Sequence, residues 1–83
     1  MKMIEVVRLF RLEDNGSPLK AFADVLIGEV LVKGVRIAEG RNGLYAALPK
    51  TQGKDGKWYE TVKIINDELK QEMQEAVLEA YNA

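Results

Sequence analysis

Cysteine and histidine are both missing from this chain, and their absence narrows the chemistry open to it. Without cysteine no disulfide can staple the fold, and without either residue a zinc site is not expected. Catalysis also loses its commonest general base and its most nucleophilic side chain, and Ser17 falls in a turn with no base in view. The expectation is therefore a protein that is not an enzyme, needs no metal or cofactor and has no small-molecule substrate. Long apolar runs are scarce too. The opening MKMIEVVRLF is interrupted by Glu5 and Arg8, which fits neither a signal peptide nor a membrane span, so a cytoplasmic location without a membrane partner is expected. Net charge is nearly absent, with 12 basic against 13 acidic residues, so the whole chain offers no field to draw in a polyanion. At 83 residues with no covalent staple, stability must come from an efficient core or a second subunit. A single domain over 1–83, paired as a homodimer, is expected.

What the chain does have is an abundance of strand and turn signals. Residues 35–49, VRIAEGRNGLYAALP, read as a strand end, a tight turn and a second strand. Gly40, Asn42 and Gly43 supply the turn, and Pro49 ends the pairing because it has no N–H to give. Upstream, residues 3–12 are rich in β formers but mixed in phase, with Ile4, Val6, Phe10 and Leu12 against Val7 and Leu9. A strand apolar on both sides predicts cover on both faces. Asn15-Gly16 is a two-residue hairpin signal that would join it antiparallel to residues 19–27. There Leu19, Ala21, Ala23, Val25 and Ile27 alternate onto one buried face. Gly28-Glu29 turns the chain into residues 30–39, where the apolar parity slips at Lys33-Gly34. A β-bulge at Gly34 would restore the buried face and bend the sheet. KTQGKDGK, residues 50–57, reads as a polar loop, and WYETVKII, residues 58–65, as the last strand.

Asn66 is placed to cap a helix, and Asp67 and Glu68 put negative charge where the dipole favours it. Beyond them Leu69, Met73, Ala76, Val77, Ala80 and Tyr81 recur at helical spacing, giving one apolar face to lay on the sheet. The predicted architecture is α+β: an antiparallel, bent sheet of about five strands with one C-terminal helix, dimeric through strands because an open sheet edge invites a second copy.

Two GxxG sequences, 40–43 and 53–56, share a pattern with the backbone-clamping loop of KH domains. Both lie between strands rather than helices, so they read as turns. Glu68, Glu72, Glu75 and Glu79 fall three and four apart and read as a solvated helix face. The basic residues are segregated. Residues 1–66 hold 11 basic and 8 acidic residues, and 67–83 hold 1 basic and 5 acidic. Arg41, Lys50, Lys54, Lys57 and Lys63 come from the central turn, the loop and the last strand. They form a candidate phosphate-contacting strip with Trp58 or Tyr59 as stacking surfaces.

The order of these segments resembles the SpoVG family of small bacterial septation and sporulation regulators. The resemblance is carried by Glu39, Gly40, Asn42, Gly43, Leu44, Tyr45, Ala46 and Pro49, by Asp55-Gly56 before the last strand, and by AVLEAY at 76–81. It implies an α+β homodimer that binds DNA, and in several members RNA, to regulate gene expression. It also implies that a basic run at the helix start carries binding. Here that run reads Leu69, Lys70, Gln71, Glu72. Lys70 keeps a positive charge, whereas Glu72, with Asp67 and Glu68 nearby, opposes phosphate binding. A rival reading from the same residues is a protein-interaction module that recognises a basic partner through Glu68, Glu72, Glu75 and Glu79.

Overall fold

A computed structural model describes residues 3–13 and 16–83. Six strands precede one helix: β1 Ile4–Arg11, β2 Leu19–Ile27, β3 Val30–Gly40, β4 Gly43–Ala47, β5 Lys50–Gln52, β6 Trp58–Glu60 and α1 Asp67–Asn82. The first four form one antiparallel sheet in chain order, and β5 pairs with β6 as a separate two-stranded ribbon. The α+β architecture follows the sequence reading, with the strands divided between a main sheet and a ribbon. The hairpin signal Asn15-Gly16 involves a residue outside the described ones, although β1 and β2 do pair antiparallel.

Alternation along β2 buries Ala21, Ala23 and Val25, and β3 adds Val32, Val35 and Ile37. The helix lays Met73 and Val77 on this face, with Ile4 and Ala46 from the edge strands completing the buried set. Two alanines on the central strand leave room for the helix backbone to come close, and Met73 fills the remaining irregular space. Asn66 caps the helix as its sequence predicts, its side-chain oxygen accepting from the Leu69 N–H at 3.1 Å.

Bulges decide the phase. Ala23 faces Val35 while Val25 faces Val32, so Lys33 and Gly34 together oppose Asp24. Gly34 adopts φ +83° and donates its N–H to Asp24 Oδ1 at 3.4 Å. That is the bulge the parity slip predicts. A second one overturns the expectation for β1. Its register shifts at Val7, which lets Ile4, Val6 and Leu9 all turn toward the helix and leaves Val7, Phe10 and Leu12 exposed. The strand is covered on one face, not two. A third shift at the start of β2 pairs Leu19 with Ala38, so Leu19 joins the uncovered face rather than the core.

The segment after Pro49 also departs from expectation. Residues 50–57 contain β5 and a closed turn instead of a plain loop, and β6 ends at Glu60. Val62 and Ile64 still pack against the core, but from an irregular stretch that leads into the helix. The chain crosses at the ribbon's base, where the Thr61 N–H and hydroxyl both donate to the Pro49 carbonyl, at 3.2 and 3.1 Å.

Candidate nucleic-acid interface

The predicted basic residues fall into three places. Lys50 opens β5, Lys63 sits between the inward Val62 and Ile64, and Lys70 follows one turn after the Asn66 cap. These three line a groove of about 220 Å³ between β4, the ribbon base and the helix start, with Glu60 as its acidic member. Lys54 and Lys57 instead lie at the ribbon's turn, and Arg41 lies in the β3–β4 turn, at the opposite end of β4 from Lys50.

One side of the groove is held by Gln74, one turn beyond Lys70 on the same helix face. Its amide nitrogen donates to the Ala46 carbonyl, and its oxygen accepts the Ala46 N–H at 2.8 Å. The amide thus acts as a one-residue strand against the outer edge of β4. Helical spacing also separates the opposing charges. Residues two apart project about 200° from each other around the axis, so Glu68 and Glu72 line a different hollow, beside Met3 and Leu69. Of the acidic residues that the sequence sets against Lys70, Glu68 and Glu72 are turned away from its groove, whereas Asp67, three residues before Lys70, stays on the same side of the helix.

The ribbon tip is closed by its own chemistry. Asp55 accepts the Lys57 N–H at 3.0 Å through one oxygen and the Tyr59 hydroxyl at 2.5 Å through the other. The Tyr59 hydroxyl, then the Lys57 N–H, hold the Asp55 carboxyl below its ordinary range, and the same bond pushes the Tyr59 hydroxyl up. The Tyr59 ring packs over Gly53, where an added Cβ would stand 2.8 Å from a ring carbon. Trp58 is 57% exposed. Both aromatics that the sequence offers as stacking surfaces therefore lie on an exposed ribbon, next to Lys57.

Arg36 was not singled out by sequence. Strand alternation between buried Val35 and Ile37 was the available signal, since it sends Arg36 to the uncovered sheet face, where it lies near Tyr45.

These features define a small α+β domain with a lysine-lined groove at its helix start and an exposed aromatic ribbon. The SpoVG family model matches residues 1–83, and the chain belongs to the SpoVG family. It is 35% identical over 82 residues to an Archaeoglobus fulgidus protein named "Putative septation protein SpoVG", covering 98% of this chain and 95% of that one. A Staphylococcus saprophyticus protein of the same name is 34% identical over 98% of this chain and 79% of its own length. A Listeria monocytogenes relative named "Putative septation protein SpoVG 2" is 36% identical over 90% of this chain and 74% of its own. Among the described residues, no helix is long and apolar enough to cross a membrane.

Proposed function

We propose that this protein is a non-enzymatic, cytoplasmic regulator of the septation type. It binds DNA or RNA as a homodimer, with phosphates held by Lys50, Lys63 and Lys70 and further contacts from Lys54, Lys57 and Arg41. The observation that carries this reading is the convergence of three lysines on one groove while Glu68 and Glu72 line another. Each lysine–phosphate contact releases condensed counterions, so affinity should fall steeply with salt. The test is fluorescence anisotropy with duplex DNA, single-stranded DNA and RNA at low and near-physiological salt. Lys63→Gln with Lys70→Gln should weaken binding and flatten the log–log salt slope by about two, one contact each. An unchanged slope would remove the groove from the interface.

A second reading is interaction with a basic protein through the helix face bearing Glu68, Glu72, Glu75 and Glu79, all of which are exposed. Absence of any nucleic-acid binding by the unaltered protein at low salt would favour it.

A further inference from the structure

The sheet face opposite the helix carries a second groove that the lysine groove does not account for. It measures about 330 Å³ and lies over β3 and β4 at the start of β2, within the range of small-ligand sites. Its floor is apolar, from Leu19, Ala38 and Ala47; its charged lining groups are Arg36 and Lys50, with no acidic residue among them. Tyr45 supplies an aromatic wall. The ring lies against Gly40, where an added Cβ would stand 3.1 Å from ring Cε1, and the residue remains 47% exposed. An apolar slot with one positioned ring and two cations is complementary to a flat aromatic group bearing a phosphate.

The surface continues beyond the groove. Cross-strand pairing sets Phe10, Phe22, Arg36 and Ala47 in one row across the four strands, and Phe10 is 50% exposed. With neighbouring strands about 4.8 Å apart, that row spans about 14 Å, long enough for more than one base. Aromatic rings on an open sheet stack unpaired bases whatever their sequence, whereas paired bases keep their faces inside a duplex.

We propose that this sheet face binds the unpaired bases of a single-stranded nucleic acid: one base lies in the groove against Tyr45, with its phosphate on Arg36 and Lys50. The next base lies along the row toward Phe22 and Phe10. This rests on the nucleic-acid reading above and adds a strand preference to it. Lys50 borders both grooves, so one strand can pass from the sheet face to the lysine groove around the end of β4.

The test uses fluorescein-labelled oligo(dT) and oligo(U) of twelve nucleotides and a duplex of the same length, with Tyr45→Leu and Arg36→Gln as separate variants. Arg36 is exposed, so its substitution leaves the core intact. Each variant should lose roughly ten-fold in affinity for the single strands and little for the duplex. Amide shifts on adding oligo(dT) should appear at Arg36, Ala38, Gly40, Tyr45 and Ala47. If both variants bind single strands normally while Lys63→Gln with Lys70→Gln weakens binding, this inference is overturned and the lysine groove stands. If Tyr45→Leu instead changes the oligomeric mass without touching single-strand affinity, the face is a self-association surface and the inference is equally overturned. If the unaltered protein binds no nucleic acid at low salt, both readings fall.

Discussion

Asp55 and Tyr59 couple the ribbon tip to pH through one hydrogen bond. Folding lowers the pKa of Asp55, so its contribution is present above the ordinary carboxylate value and is lost as pH falls through the lowered value. Tyr59 is shifted the other way. Its hydroxyl must stay protonated to donate, so that contribution is complete below its ordinary pKa of 10.0 and is lost as pH rises through the raised value. The tip should therefore be closed across neutral pH and open at both extremes. Trp58 fluorescence, followed from pH 2 to 12, should change at the two ends and stay flat between them. In Asp55→Asn the alkaline change should move to lower pH, because the carboxylate that raised the Tyr59 pKa is gone. An alkaline midpoint unmoved by this substitution would show that the bond does not hold the tip.

At the level of elements, bulges do much of the positioning. The Gly34 bulge advances β3 by one residue and puts Val35 and Ile37 back under the helix. An added Cβ there would meet nothing within 4 Å, so the constraint is the backbone, held at φ +83°. Gly34→Ala should cost about 1 kcal/mol and Gly34→Asn less, since asparagine tolerates the left-handed region. Urea titration of the two variants measures this. Equal losses would point to packing rather than backbone conformation. The helix end depends on a distant strand in a similar way. No basic residue lies in its last turn, and Arg11 of β1 supplies the cation instead. Its guanidinium donates to the Tyr81 carbonyl at 2.6 Å and lies 5.5 Å from the Tyr81 ring centroid. The parity change at Val7 is what brings Arg11 to that side.

For the whole molecule, the question is which surfaces a second copy would use. Gln74 occupies the outer edge of β4 at Ala46, so strand pairing by a second copy is less obstructed along β1 or the ribbon. A ribbon of two three-residue strands has little stability by itself in water, and a partner subunit would supply the missing cover for Trp58. We expect the 9.3 kDa chain to sediment at twice its mass, with a melting temperature that rises with protein concentration. A melting temperature independent of concentration, together with a single-chain mass, would leave the ribbon exposed as a monomer's arm.

Much of this molecule was legible from local pattern. The helix, its Asn66 cap, its apolar stripe, the turn at Gly43 and the Gly34 bulge are short-range consequences of periodicity and of where glycine and asparagine stand. The Val7 bulge was not legible. β1 offers no glycine there, and only its pairing with β2 shows which of two apolar phases is buried. The basic residues divide along the same line. Composition and order marked Arg41, Lys50, Lys54, Lys57, Lys63 and Lys70 as candidates. Which of them meet was decided by the helix docking on the sheet, which brings Lys70 to Lys63 and Lys50 while rotating Glu68 and Glu72 away. Strand and helix type follow from interactions within a few residues, and the sequence alone determines those. Convergence of charges far apart in the chain depends on register and crossing geometry, which only the packed tertiary structure sets.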